Sequence, residues 1–277
     1  MIGTGPYNSL REYLTAVEAH GKLIKIDEID QDAYELTGFM YKLIDKYGWL
    51  DAPAVLVEKV KVSGEWMEGP ILINQYGMGG HEALVVGVPL DEIDPEDHIL
   101  NYKKSLQKML SEMPIEPMKT KEVKASDAPS KEVVLKGDEI DILSFPFIQT
   151  NPADNGRFIN TGNLITIDPD GGRNVGTYRM QIKGPRKIGI SPEKNQDGWK
   201  ALMAHKEKGA SHANVAVVLG SDPIVFAMSS SKTARSGQDE LEIAGGFKGE
   251  SVEVVKCEDS DIMVPANVEM IIEGEIP

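Results

Sequence analysis

One cysteine, Cys257, stands in 277 residues, which excludes an internal disulfide framework and suits a reducing compartment. Beside the apolar pair Val254 and Val255 it reads as core rather than as a nucleophile. Basic charge is also scarce. Lys and Arg number 29 against 44 Asp and Glu, a net charge of -15, so a sequence-independent nucleic-acid binder is excluded and any anionic ligand needs a local basic pocket. Long apolar runs are missing: nothing approaches the ~18 residues of a membrane span, and Met1-Ile2-Gly3-Thr4-Gly5-Pro6 has no basic region followed by an apolar run. The expectation is a cytoplasmic globular protein without membrane or nucleic-acid partners. No repeat or low-complexity tract is visible. With 41% hydrophobic and 26% charged residues, the chain is long enough for one large domain or two ordinary ones.

What is present begins with alternating helix and strand signals. Asn8-Ser9 caps a predicted helix with apolar positions at Leu10, Tyr13, Leu14 and Val17, ending near Gly21, and Lys22 to Ile26 reads as a strand. A second amphipathic helix is predicted over Ala33–Tyr47. Short buried strands follow at Pro53–Val57, Pro70–Asn74 and Ala83–Val88, then a helix over Pro95–Met113. Pro114 to Lys131 is rich in Pro, Lys, Glu, Ser and Asp, as in a linker or long connection. From Glu132 short strands dominate, at Glu132–Leu135, Ile142–Phe145, Leu164–Ile167, Val175–Ile182, Val215–Leu219 and Glu253–Val255. Helices are predicted near Trp199–Lys208 and Glu240–Gly245. A β-barrel with inserted helices is the expected packing, because closure removes exposed edges.

The most informative stretch is Arg173-Asn174-Val175-Gly176-Thr177-Tyr178-Arg179-Met180-Gln181, the returning strand of a hairpin whose turn is Asp168-Pro169-Asp170-Gly171-Gly172. Alternation puts Asn174, Gly176 and Tyr178 on one face and Val175, Thr177 and Arg179 on the other. An amide, a glycine and an arginine so placed suit an anion and metal site; an ordinary surface hairpin carrying an arginine fits the same residues.

This hairpin resembles that of the UbiD family of reversible decarboxylases, which use prenylated FMN. Further matching text is Ser9-Leu10-Arg11-Glu12-Tyr13-Leu14 with Gly21-Lys22-Leu23-Ile24-Lys25-Ile26, Lys136-Gly137-Asp138 with Leu143 and Pro146, and Val254-Val255-Lys256-Cys257 with Val264-Pro265-Ala266. The resemblance implies an N-terminal α/β domain over 1–118, then a split β-barrel like that of flavin reductases over 119–277, which holds the cofactor. It further implies a C-terminal oligomerisation domain and an acid motif of Glu-Gly-Pro type that protonates the product. Both are expected beyond Pro277, which points to a truncated chain or one piece of a split enzyme. Glu273-Gly274-Glu275-Ile276-Pro277 is similar to that motif only superficially.

The resemblance also implies site residues. An asparagine, a histidine and a glutamate hold Mn²⁺ or Mg²⁺ against the cofactor phosphate; the asparagine falls on Asn174 and the glutamate on Glu240, with Asp239 and Glu242 as rivals. Read without the resemblance, Glu240 is a solvated acid at a helix start. Where the family has histidine this chain has Asn195, give or take a residue or two, and an amide oxygen is the weaker ligand. His205, the nearest histidine, reads as a surface or half-buried residue of a helix. Arg179 matches the arginine beside the reactive flavin ring, a permanently charged fork that pairs with a carboxylate. Thr177 and Tyr178 are expected to contact the cofactor through the backbone, with Ser191, Pro192 and Glu193 on the facing loop. Ser229-Ser230-Ser231-Lys232 matches a segment whose carbonyls bind K⁺, although such a run also reads as a plain loop. The implied substrate is a small aromatic or α,β-unsaturated carboxylic acid, the implied cofactor supplier a flavin prenyltransferase, and the implied assembly a homo-oligomer or a pair with a complementary chain. The alternative is a non-catalytic flavin-binding or assembly subunit.

Overall fold

Ser9 opens the first helix: its hydroxyl accepts the Glu12 N–H at 3.0 Å and α1 (Leu10–Ala19) buries Tyr13, Ala16 and Val17 on one face. The computed structural model describes residues 3–235 and 237–277. Met1 and Ile2 of the opening segment, and Ser236 before the Gly237–Gly245 stretch, lie outside the described residues. After α1 come β1 (Leu23–Asp30), α2 (Glu35–Tyr47), β2 (Ala54–Val62) and β3 (Glu65–Ile73). They form a three-stranded sheet in the order β1-β2-β3, with β1 and β2 parallel and β2 and β3 antiparallel. The parallel pair requires the crossover that α2 supplies.

Two helices follow, α3 (Gly79–Val85) and α4 (His98–Ser111). Beyond them lie β4 (Lys121–Glu122), β5 (Phe158–Ile167), β6 (Arg173–Gly184), β7 (Lys187–Ile190), α5 (Asp197–Glu207), β8 (Ala213–Leu219), α6 (Pro223–Ser230) and α7 (Glu240–Lys248). The last strands are β9 (Glu253–Lys256), β10 (Met263–Pro265) and β11 (Met270–Ile276). Five strands make a half-barrel sheet in the order β11-β8-β5-β6-β7, and three make a small sheet, β10-β9-β4. Each face of the five-stranded sheet has its own core. Ile165, Val175, Ala216 and Val218 pack with α6, α7, β9 and β10, in a cluster that continues to Tyr13 and Val17 of α1. Leu164, Tyr178, Met180, Val215 and Val217 pack with Leu202 of α5. Cys257 is buried in the first cluster, where burial pushes its thiol up to about 12, in keeping with a structural role. Among the described residues no helix is long and apolar enough to cross a membrane.

Four expectations are corrected. Ala83–Val88 is not a strand: Gly79–Val85 is helical, because Gly79 lets α3 lie directly on the His98 carbonyl of α4, where a Cβ would collide. A short apolar run has no period that separates strand from buried helix. Glu132–Leu135 forms no strand and leaves Val133 74% exposed, with no strand paired to it among the described residues. At Ile142–Phe145 the Asp141 side chain takes the Leu143 N–H at 2.9 Å and winds a single 3₁₀ turn over Ile142–Ser144. The sheet is also open rather than closed, ending at β11 and β7. Within the Pro114–Lys131 connection, β4 is strapped to β9 in parallel, and the Met118 N–H donates to the Glu242 carbonyl.

A buried ion pair joins α6 to α7. Asp222 caps α6, accepting the N–H groups of Ile224 and Val225 at 3.0 and 2.9 Å, and lies 3.2 Å from the Lys248 ammonium, with side chains 7% and 4% exposed. Burial raises the Asp222 carboxyl from its ordinary range, against the opposing pull of Lys248 and the capped N–H groups. Lys248→Met strands that carboxylate and is expected to cost about 3 kcal/mol in urea unfolding. The same change at Lys108, in an exposed pair with Glu112, is expected to stay within about 0.5 kcal/mol. Equal effects would show that the buried pair is not the tie between the two helices.

Candidate functional site at the open edge of β6

The β5–β6 hairpin forms as the sequence predicts. Asp168 closes the turn, its N–H donating to Gly172 and its carboxylate accepting the Asp170 N–H at 2.7 Å, and Gly171 takes the positive φ of 93° that the turn requires. The register pairs Asn174 with Thr166, Gly176 with Leu164, Thr177 with Asn163 and Tyr178 with Gly162. The expected alternation holds, with Val175 in one core and Tyr178 in the other.

β7 pairs with β6 only from Met180 to Gly184, so among the described residues the outer edge of β6 from Arg173 to Arg179 has no strand beside it. Backbone groups on such an edge need partners. One is supplied by Glu240, the first residue of α7, whose Oε2 accepts the Val175 N–H at 2.8 Å. Residues two apart turn their N–H and C=O groups to the same side of a strand, so Thr177 presents its own to this edge. Asp239 caps α7 through the Leu241 N–H at 2.9 Å, and Arg173 holds Asp239 at 2.8 Å while donating to the Met263 carbonyl. Arg173 thus docks the start of α7 against β6. Burial pushes the Glu240 carboxyl up to about 7; the Val175 N–H and its own N–H oppose this, and Asp239 and Asp197 reinforce it. Among the described residues no Lys or Arg stands within ion-pair distance of Glu240.

From the other face α5 meets the same edge. Gly198 touches both Tyr178 and Asn174: a Cβ there would lie 2.7 Å from the Tyr178 hydroxyl and 3.6 Å from the Asn174 amide nitrogen. Burial raises the Tyr178 hydroxyl, the Gly198 N–H opposes this, and the charges of Asp197 and Glu240 add to it. Asn174 donates weakly to Thr166, at 3.4 Å, which turns its amide oxygen away from that side. Asn174 is thus one residue along the strand from the Val175 N–H that Glu240 holds. Asn195 sits on an exposed turn one residue before the α5 cap Gln196, whose N–H donates to the Glu193 carbonyl. Ser191, Pro192 and Glu193 leave β7 beside the Met180–Ile190 pair and run back to α5.

Thr177 belongs to a polar ladder through the sheet. Asn163 donates to its hydroxyl at 3.0 Å, Ser221 donates to Asn163 at 3.1 Å, and the Thr177 hydroxyl meets that of Ser230 at 2.8 Å. The serine run is the end of α6 with its cap at Ser231, not a loop. Arg179 is exposed, with no carboxylate within ion-pair distance among the described residues. His205, half-buried, bonds the Ile167 carbonyl through Nε2 at 2.7 Å. Arg173 and Asn163 have no role in the sequence reading, and Asp197 falls within the residue or two around Asn195. A groove of about 520 Å³ opens beside the hairpin turn, but Asp239, Glu242 and Asp261 face a single Arg173 across it, which does not suit an anion.

The profile of the UbiD family, described as a 3-octaprenyl-4-hydroxybenzoate carboxy-lyase Rift-related domain, matches residues 121–277. A phenolic acid decarboxylase of Bacillus subtilis is 28% identical over 275 residues, covering 98% of this chain and 54% of the relative. The UbiD-class enzyme HmfF from Pelotomaculum thermopropionicum, solved in complex with FMN, superposes with a TM-score of 0.78 at 29% identity, covering 96% of this chain and 54% of that one. Vanillic acid decarboxylase from Sedimentibacter hydroxybenzoicus in open form gives a TM-score of 0.82 at 26% identity, covering 98% and 55%. The chain spans about half the length of the curated relatives it matches.

The contact of α5 with β6 is testable. Gly198→Ala is expected to destabilise the fold by about 1–3 kcal/mol through the Tyr178 hydroxyl. Adding Tyr178→Phe removes the obstructing oxygen and is expected to recover part of that loss in a double-mutant cycle. Strict additivity would show that the two residues do not meet.

Proposed function

The chain belongs to the UbiD family, and on that premise we propose that it is the cofactor-holding part of a non-oxidative, reversible decarboxylase or carboxylase. The substrate is a small aromatic or α,β-unsaturated carboxylic acid and the cofactor is prenylated FMN. In this reading residues 1–118 are the α/β domain and 119–277 the split barrel. They act with the remaining half of the family fold, in the same polypeptide or in a second one. The observation that carries the reading is the Glu240 carboxylate held on the Val175 N–H, one residue along from Asn174, at the open edge of β6, with Thr177 and Arg179 further along the same strand.

The residues present fit the implied groups. Asn174 and Glu240 offer hard oxygen donors suited to Mn²⁺ or Mg²⁺ bound to a phosphate, with the third ligand from the turn at Asn195. Glu240, half-buried beside Asp239 and without a basic partner among the described residues, is a carboxylate that a divalent cation would stabilise. The backbone groups that Thr177 turns to the open edge, with Tyr178 next to it on the strand, and the Ser191-Pro192-Glu193 loop are the walls assigned to the flavin. K⁺ is assigned to the carbonyls at the end of α6, which the Thr177–Ser230 contact holds beside the same strand.

When bound, prenylated FMN supplies the electron sink that loss of CO₂ requires. Arg179 binds the substrate carboxylate bidentately and orients it, its charge remaining fixed at any working pH. The ladder from Ser221 through Asn163 to Thr177 keeps the strand in place beneath it. A flavin prenyltransferase supplies the cofactor, and the assembly is a homo-oligomer or a complementary pair. A second reading, a non-catalytic flavin-binding or assembly subunit, draws on the histidines: among the described residues none stands beside Glu240, and His205 is engaged at Ile167.

The test is reconstitution with reduced prenylated FMN, Mn²⁺ and K⁺ together with the other half of the family fold, then CO₂ release from a panel of phenolic and unsaturated acids. Arg179→Ala is expected to keep the cofactor by native mass spectrometry and to lose turnover by on the order of 10²-fold or more. Unchanged turnover would remove Arg179 from the chemistry. Cofactor retained by the unaltered chain with no turnover on any acid would favour the assembly reading.

A further inference from the structure

The geometry points to a self-association surface on the α/β half of the chain: the outward face of α4 pairs antiparallel with the same helix of a second copy. This helix is turned inside out. Its buried face is polar, with His98, Asn101 and Ser105 almost fully covered, while its exposed face is apolar, with Ile99 57%, Leu106 51% and Leu110 60% exposed beside Tyr102 and Met113. The polar side fixes the helix to the fold. Asn101 donates to the Asp94 carbonyl at 2.6 Å and accepts the Asp94 N–H at 2.8 Å, Asp97 caps the helix through the Leu100 N–H at 2.9 Å, and Gly79 of α3 lies on the His98 carbonyl. A surface helix of a globular protein turns its apolar stripe to the core. A contiguous apolar stripe left outside marks a contact surface.

The stripe is self-complementary. Ile99 and Met113 stand seven residues to either side of Leu106, and Tyr102 and Leu110 stand four. The pattern reads the same in both directions, as a two-fold contact requires: where Ile99 of one copy meets Met113 of the other, the reverse contact forms as well, with Leu106 on the axis. Its mean period of about 3.5 residues is that of a helix–helix seam, and its length is about 21 Å at 1.5 Å per residue. Trp49, 75% exposed, and Leu50 extend the stripe beyond Ile99, since the Leu50 carbonyl accepts the Gly79 N–H at 3.3 Å and Asp51 stands 4.0 Å from His98. Trp and Tyr are the residue types on which interface energy concentrates. Charge agrees with this placement. Two copies of a chain of net charge -15 repel, but α4 carries no Asp or Glu from His98 to Ser111. Lys104 and Lys108 turn back onto the Glu92 carbonyl and Glu112 of their own copy. The antiparallel register then brings Glu112 of one copy to the first turn of α4 in the other, the positive end of that helix.

Sedimentation velocity of the 277-residue chain over a range of concentrations gives the dissociation constant of the pair. Leu106→Glu and Leu106→Lys each set like charges across the axis and are expected to weaken association by at least about thirtyfold. An equimolar mixture of the two sets opposite charges there and is expected to recover most of that loss, which misfolded variants would not do. Oxidative cross-linking reads the register. Cys257 is buried, so introduced thiols are the reactive ones, and Ile99→Cys mixed with Met113→Cys is expected to give a covalent pair that neither variant gives alone. Cross-linking by Ile99→Cys alone would make the pairing parallel and overturn the two-fold register. A dimer unmoved by Leu106→Glu would place the contact elsewhere and overturn the inference. So would a chain that stays monomeric at every concentration; binding of that monomer to anionic vesicles, or to the remaining half of the family fold, lost with Leu106→Glu, would assign the face to lipid or to that half instead. None of these readouts uses flavin or metal, so the proposed function stands or falls separately.

Discussion

The backbone of β6 between Arg173 and Arg179 has no strand along its outer edge, and the candidate site is arranged around that deficit. A sheet edge inside a fold must find hydrogen-bond partners from elsewhere. Here the partner for the Val175 N–H is the Glu240 carboxylate, so a structural requirement brings an acid from a distant part of the chain beside Asn174. β7 stops at Met180, and the chain then turns away and comes back as α5. That detour leaves the edge clear and delivers Gly198 to the opposite face.

Electrostatics follows from this packing. Glu240 is held among Asp239, Asp197 and apolar core, and burial dominates its elevated carboxyl. Arg173 reaches the start of α7, but it is occupied by Asp239 and the Met263 carbonyl. The helix start is therefore anchored by one ion pair while the acid next to it is left without a cation. With a net charge of -15, the proposed reading has an anionic ligand met here through backbone donors, a metal and Arg179 rather than through a broad basic surface.

Much of the hairpin was legible because strand alternation and turn chemistry are local. The Asp-Pro-Asp-Gly-Gly turn, the returning strand and the two faces of Asn174 to Arg179 all stand where the pattern puts them. The helices with an even polar-apolar period, α1, α2, α4, α5 and α7, were legible for the same reason. Ala83–Val88 was not, since a run of apolar residues has no period and the choice of helix depended on the close approach of Gly79 to α4. Nor was α6, whose Asp222 cap and Pro223 start resemble any turn until Lys248 closes over them.

The sequence by itself determined the class of protein and the motif: one cysteine, an acidic balance, no membrane-length apolar run, and an Asn174-to-Arg179 hairpin whose resemblance pointed to UbiD. These are properties of composition and of residues a few positions apart. Only the tertiary structure decided that Glu240 bonds the neighbour of Asn174, that Arg173 docks α7, and that Gly198 at the start of α5 lies against Tyr178 of the strand. Those relations join residues from 20 to 66 positions apart in the chain. No spacing rule encodes them, because they arise from how α5 and α7 cover the two faces of one sheet and from which edge that packing leaves open.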